Sequence, residues 1–190
     1  MTRLAVATAG GPNVCAFLDM IAHSEIGSAL LAQSDDGYNV LVGSTASKPL
    51  TFPSYAAHPE ILNHALNSTA AGRYQIIRGT WAGISGQLGL HDFSPENQDR
   101  AAIGLIDGRK ALDAVKAGEI ENAIGLCAQE WASLPGAGYG QHENKMADLL
   151  SAYNTARAKY AGTNDTKPAP SAPQKSFLAM LIEAILGLFK

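Results

Sequence analysis

The sequence predicts a mainly α-helical domain, a helical lobe carrying one small β element, followed by a linker and a short apolar C-terminal helix. Three observations carry this expectation. Apolar residues recur at i, i+3, i+4, i+7 spacing in several stretches, as they do on helices with one face in a core. A single short run, residues 38–43, follows the turn signal Asp35-Asp36-Gly37 and is glycine-bounded and partly β-branched, as a strand should be. The 190 residues are 46% apolar and only 16% charged, which is enough apolar material for a real core.

The elements follow in order. Residues 1–12 read as a flexible lead-in ending in Gly10-Gly11-Pro12. Asn13 is a plausible N-cap, and Val14, Phe17, Leu18 and Ile21 then mark an amphipathic helix running to His23 or Glu25. After the strand, residues 44–72 are rich in Ser, Thr, Pro, Asn and His and read as loop, with one short helix over 59–66. A helix is expected within residues 74–88, although Gly79, Gly83 and Gly86 weaken it. Ser94-Pro95-Glu96 is a clean helix start, and that helix is expected to run through Ile103, Ile106 and Leu112 to Gly118, bent near Gly104 or Gly108. Ile120, Ile124, Cys127 and Trp131 form the next stripe, stopped by Pro135-Gly136, and Met146, Leu149, Leu150, Tyr153 and Tyr160 mark a last long helix. One mainly α domain with a small β element therefore spans residues 13–161. Residues 162–175, with Pro168, Pro170 and Pro173, read as an extended linker. Residues 176–190 form the apolar tail, with Glu183 its only interior charge. As a helix, residues 177–190 would measure about 21 Å, short of the roughly 30 Å hydrocarbon core of a bilayer. The tail fits either a piece of core or an interfacial helix giving weak membrane association between Lys175 and Lys190.

Composition also excludes classes. A net charge of −3 argues against a nucleic-acid partner. The apolar run at residues 4–9 is shorter than the roughly 7–15 residues of an export-signal core, so the protein is expected in the cytoplasm. Cys15 and Cys127 fit that compartment as buried free thiols, a disulfide or redox switch being the alternative. His58, His64, His91 and His142 match no standard zinc spacing. Ser85, in Gly83-Ile84-Ser85-Gly86, lacks the spacing of a nucleophile elbow. The glycines of residues 135–140 have no Lys-Ser/Thr ending and so make a loop presenting Tyr139 rather than a phosphate cradle. An aromatic ring in such a loop suits the apolar face of a sugar.

Glu25 stands out. It lies on or beside the apolar stripe of its helix and at the helix's C-terminal end. Desolvation and the negative end of the helix dipole both raise a carboxyl's pKa there, which suits a proton donor to a leaving oxygen. The alternative is a surface carboxylate that escapes the stripe as the helix ends.

Five segments then resemble the endolysins (lysozymes) of phage lambda and its relatives, in that family's order. They are Ala16-Phe17-Leu18-Asp19-Met20-Ile21-Ala22-His23-Ser24-Glu25, Gly37-Tyr38-Asn39-Val40-Leu41-Val42-Gly43, Ser68-Thr69-Ala70-Ala71-Gly72-Arg73-Tyr74-Gln75, Gln87-Leu88-Gly89-Leu90-His91-Asp92-Phe93-Ser94-Pro95 and Trp131-Ala132-Ser133-Leu134-Pro135-Gly136-Ala137-Gly138-Tyr139-Gly140-Gln141. The resemblance implies an α+β lysozyme-like fold and a lytic transglycosylase that lyses the host cell. Its bond is the β-1,4 link from N-acetylmuramic acid to N-acetylglucosamine in peptidoglycan, and its product carries a 1,6-anhydro end. It puts the catalytic acid on Glu25 and substrate contacts on Tyr74, Gln75, Tyr139 and Asn39, with no metal and no cofactor. The loops at residues 55–67 and 135–142 correspond to two mobile lips over the glycan. Arg73 is either a cleft residue or a structural ion-pair partner. The partners implied are peptidoglycan glycan strands, and a monomer suits work on a mesh. The enzyme would wait in the cytoplasm until a separate phage protein permeabilises the membrane. Asn39 stands where the lambda-type enzyme has an aspartate, which leaves open whether it binds substrate or shapes the strand. A hydrolytic muramidase and a non-catalytic wall-binding module are the competing readings.

Overall fold

In the computed structural model, which describes residues 2–140 and 142–162, eight helices surround one core. They are α1 (Val6–Ala9), α2 (Pro12–Ile26), α3 (Ser28–Ala32), α4 (Arg78–Leu88), α5 (Pro95–Gly108), α6 (Leu112–Ala117), α7 (Ile120–Cys127) and α8 (Met146–Lys159). The expected linker and apolar tail, from residue 163 onward, lie outside the described residues.

α2 is the axis of the domain. Pro12 occupies its first turn, where a missing N–H costs nothing, so the helix begins ahead of the expected cap at Asn13. Ten of its fifteen residues are buried, which makes it a core helix rather than a surface amphipathic one. α8 packs along it. Asn13, inside the helix, ties two neighbours together: its Nδ2 donates to the Lys116 carbonyl (3.0 Å) and its Oδ1 accepts from Arg157 Nε (2.7 Å). Gly27, at φ 82, ends α2 immediately after Glu25 and Ile26, and the chain turns into α3, which the sequence pattern did not suggest.

Residues 38–76 hold the β element. The expected strand is reduced to isolated antiparallel bridges, Val40 with Thr51 and Leu41 with Ala71. Residues 40–42 still pair on both edges: Leu41 N donates to Leu50 O (2.9 Å), and Val42 N to Ala70 O (3.0 Å). Gly37 and Gly43, both at positive φ, bound the segment and leave it too short for a regular ladder. The helix expected over 59–66 is a turn instead. Asn63 Oδ1 accepts from the backbone N–H of Ala65 and Leu66, the local bonding by which Asn competes with helix. The helix expected within residues 74–88 is α4 and occupies its later part, because residues 71–76 close a tight turn with Gln75 at φ 47. A Cβ on Gly72 in that turn would collide with Gln98 Oε1.

Three other boundaries shift. The long helix from Ser94 breaks into α5 and α6 at Lys110, which adopts φ 60. Within α5, Gly104 lets α4 approach, since a Cβ there would sit 2.9 Å from both Ile84 and Leu88. α7 stops at Cys127, so Trp131 lies beyond it, buried, with its indole N–H on the Tyr74 carbonyl (3.0 Å). The lead-in is not loose. Leu4 is buried and its N–H donates to Asp99 Oδ2 (3.0 Å), so residues 2–12 are packed into the domain through α1. Cys15 and Cys127 are buried free thiols, as expected, and burial pushes them up to about 11 and about 12.

Two buried carboxylates tie the β element to the helices. Asp19 on α2 pairs with Arg73 (2.8 Å) and Arg3 (2.6 Å) and accepts from the Tyr160 hydroxyl (3.0 Å). Arg73 also pairs with Asp36 (2.7 Å) and lies over the Tyr38 ring, so it is the structural ion-pair partner and not a cleft residue. Asp99 on α5 accepts from the hydroxyls of Tyr38 (2.8 Å) and Tyr74 (2.5 Å). Burial by itself would raise the Asp19 carboxyl, but the two guanidinium groups hold it below the usual carboxylate range. Its stabilising contribution is therefore complete above the unfolded pKa of about 3.9 and is lost as pH falls through the lower folded value. Asp19→Asn should cost about 3 kcal/mol at pH 7, because the buried Arg73 keeps only the half-exposed Asp36 as a charge partner. Urea midpoints measured from pH 7 down to pH 2 should fall for the wild type and converge on the variant's; parallel curves would contradict the assignment.

Candidate functional site

A cleft of about 680 Å³ opens between the β element and the segment after α7. Its floor is the last turn of α2, with Ser24, Glu25 and Ile26. Residues 40–44, Leu66, Gln75 and Ile77 line it from the β element, and residues 130–133, His142 and Asn144 from the other segment. The two loops expected as lips thus each lend a residue, Leu66 and His142. Leu66 and Ile77 are exposed apolar side chains, a surface suited to something with flat apolar faces.

Glu25 sits where the sequence pattern put it, in the last turn of a mostly buried helix, half-buried and lining the cleft. Burial raises its carboxyl above the ordinary glutamate value, against an opposing hydrogen bond from Ser133. That bond is short, Ser133 Oγ–H to Glu25 Oε1 at 2.5 Å. Ser133 Oγ in turn lies 2.6 Å from Ser24 Oγ. Asn144 spans both strands of this cluster: its backbone N–H donates to Ser133 O (2.8 Å), and its side-chain Nδ2 reaches Ser24 Oγ (3.0 Å). A second carboxylate lines the cleft, Glu130, and it is held by Arg109 Nε at 2.9 Å. Glu25 has no such cation among the ion pairs of the described residues.

The other expected contacts divide. Gln75 lines the cleft, its amide anchored on the Gly72 carbonyl (2.8 Å). Tyr74 does not reach it. Its ring is fully buried with the hydroxyl on Asp99, so it belongs to the core, and alternation along the turn sends Gln75 rather than Tyr74 outward. Asn39 shapes a turn: its Oδ1 accepts from Asp35 N (3.1 Å) and it is not among the cleft residues. Tyr139 is exposed at 55% on its loop, hydrogen-bonded to the Gln129 carbonyl and also outside the cleft lining. Glu143 fixes that loop by accepting from the N–H groups of Gly136 (2.9 Å) and Gly138 (2.8 Å), which hold its carboxyl below the ordinary value. Ser24, Ser133, Glu130 and Asn144 were not singled out by sequence; Ser24 and Ser133 lie inside family-like segments, but nothing in their spacing marks them. His58, buried, bonds the Ile76 carbonyl through Nε2 (2.9 Å) and accepts Glu60 N–H at Nδ1, which makes it a structural neutral imidazole. Among the described residues, no group of three or more His, Cys, Asp or Glu side chains is placed to hold a metal ion.

A helical domain with a small irregular β element, cleft by a groove that buries one carboxyl at a helix end, defines a lysozyme-like protein. The endolysin family model matches residues 15–160. The endolysin of Escherichia phage P2 is 45% identical over 152 residues, covering 76% of this chain and 92% of that relative. The endolysin of Escherichia phage lambda is 43% identical over 145 residues, covering 74% and 89%. Among solved structures, bacteriophage lambda lysozyme complexed with a chitohexasaccharide superposes with a TM-score of 0.70 at 41% identity, covering 82% of this chain and 97% of that one. A second lambda lysozyme structure gives 0.61 at 38% identity, covering 84% and 95%. This chain belongs to the endolysin family, and its fold is that of lambda lysozyme.

The raised carboxyl of Glu25 has a stability consequence. A group whose folded pKa lies above its unfolded value contributes stability below the unfolded pKa and loses it as pH rises through the folded pKa. Glu25→Gln keeps the shape without the charge, so it should match the wild type near pH 4 and become the more stable protein by pH 8. Thermal midpoints across that range check this; a variant less stable at pH 8 than at pH 4, relative to wild type, would contradict it.

Proposed function

We propose that this endolysin cleaves the β-1,4 bond between N-acetylmuramic acid and N-acetylglucosamine in peptidoglycan as a lytic transglycosylase, with Glu25 as its catalytic acid. The observation that carries the proposal is the carboxyl inventory of the cleft: among the described residues Glu25 has no cation in ion-pair range, while Glu130 is paired with Arg109. Ordinary glycosidases need two carboxyl groups flanking the bond, one as acid and one as nucleophile or base. A single protonated carboxyl suffices if the substrate supplies the nucleophile. Glu25 gives its proton to the glycosidic oxygen as the bond to the anomeric carbon breaks. The 6-hydroxyl of the muramic acid then attacks that carbon, and its proton passes to Glu25. Atoms and protons balance without water, and Glu25 ends the cycle protonated as it began.

A glycan occupant is supported by the lambda lysozyme relative, which was solved with a chitohexasaccharide, and by the apolar Leu66 and Ile77 on the cleft rim. Gln75 is the expected substrate contact from the β element. The enzyme reaches the wall after another phage protein opens the inner membrane, so lysis depends on that event and not on secretion.

A hydrolytic reading has one candidate in its favour, Glu130 as the second carboxylate. The two readings separate on products. Purified peptidoglycan digested in ¹⁸O-water should yield 1,6-anhydromuramyl ends with no ¹⁸O, and Glu130→Gln should keep most activity while Glu25→Gln loses at least about a hundredfold. Labelled reducing ends would establish hydrolysis, and full lytic activity in Glu25→Gln would remove Glu25 from the reaction.

A further inference from the structure

The hydrogen bonds behind Glu25 favour one direction. Asn144 Nδ2 lies 3.2 Å from the Ser24 carbonyl and 3.3 Å from the Ser133 carbonyl, both of which can only accept. That fixes the orientation of the amide: the nitrogen is the group facing this cluster, and it is a donor only. Its third neighbour, Ser24 Oγ at 3.0 Å, shares the two N–H groups with those carbonyls. Ser24 has one hydroxyl hydrogen left to place, and Ser133 Oγ stands 2.6 Å away. Ser133 then spends its own hydrogen on Glu25 Oε1 at 2.5 Å.

The reverse arrangement, with the Glu25 proton on Oε1 and Ser133 donating to Ser24, leaves the Ser24 hydrogen without a partner inside the cluster, whereas the forward one uses every hydroxyl hydrogen within it. From this geometry we infer that Asn144, Ser24 and Ser133 form a one-way hydrogen-bond chain that reserves Oε1 as an acceptor and keeps the acidic proton of Glu25 on the other carboxyl oxygen, Oε2. Asn144 and Ser24 are positioning residues; neither needs to touch substrate. The chain rests on the reading of Glu25 as the acid and deepens it, because it specifies which oxygen delivers the proton and which later receives one.

The chain also explains why three segments far apart in sequence converge here. Ser24 belongs to the last turn of α2, Ser133 to the segment after α7 and Asn144 to the segment before α8. Donors arranged in series polarise one another, so the acceptor bond at Glu25 is stronger than an isolated serine would make it. The other titratable groups lining the cleft are Glu130, already paired with Arg109, and the exposed His142.

The test is the titration of the Glu25 carboxyl carbon by ¹³C NMR in the intact protein, without substrate. Ser133→Ala removes the hydroxyl donor, keeps the Ser133 backbone donor, and should move the midpoint up by about 1 pH unit. Ser24→Ala removes only the middle link and should move it up by roughly half a unit, while Ser24→Thr, which keeps the hydroxyl, should return it to the wild-type value. Asn144→Ala should shift it in the same direction as Ser24→Ala. The basic limb of wall-cleaving activity should move with the midpoint in each variant. A midpoint unchanged in both Ser24→Ala and Asn144→Ala overturns the chain. Because the titration needs no substrate, that result is separate from the activity of Glu25→Gln, which alone decides whether Glu25 is the acid.

Discussion

Asp19 lies on α2 six residues before Glu25, and a carboxylate buried that deeply is tolerable only with cations and donors packed around it. Arg73 comes from the turn at residues 71–76, Arg3 from the N-terminal segment and Tyr160 from the end of α8, so three separate parts of the chain converge on one side chain. Asp99 does the same from α5, drawing in Tyr38, Tyr74 and the backbone of Leu4. Gln98 beside it caps the turn, accepting from Arg73 N (2.9 Å) and donating to the Tyr38 and Phe93 carbonyls. An irregular β element with only isolated bridges has little rigidity of its own. These buried polar contacts hold it at a set distance from α2, and the cleft is the space that remains between them.

The same helix that anchors the β element also sets the surroundings of Glu25. α2 is buried along most of its length and stops at Gly27, so its last carboxyl is carried half-buried to the cleft floor. Two influences favour the protonated form there, desolvation and the negative end of the helix dipole. Ser133 works against them by stabilising the ionised form. Such opposition suits a group that must release a proton and take one back in the same cycle: an acid held too tightly would protonate poorly, and one held too loosely would arrive ionised.

Much of this was legible in the sequence where the signal is local. The periodicity of Val14, Phe17, Leu18 and Ile21 located α2 and put Glu25 at its end, and Ser94-Pro95-Glu96 located the start of α5. What escaped depends on contacts between distant residues. Leu4 looks like part of a loose terminus until Asp99, on α5, is found accepting from its N–H. Tyr74 and Gln75 are neighbours with opposite fates, and only the turn geometry, with Gln75 at positive φ, decides that the tyrosine is core and the glutamine faces the cleft. Asn63 redirects a segment of helical composition into a turn through its own side chain. Ser24 beside Glu25 carries no pattern of its own; its role exists only because residues 133 and 144 are brought against it.

The central claim is that one carboxyl, protonated in the resting enzyme, performs the whole reaction. It is tested most directly by the pH dependence of kcat/KM for peptidoglycan cleavage over the range in which the fold stays intact. The account predicts a single ionisation on the basic side, lying above the ordinary glutamate value of about 4.3, with a level plateau below it. A bell-shaped profile with an acidic limb would show that a second, ionised carboxylate takes part, and would contradict the account.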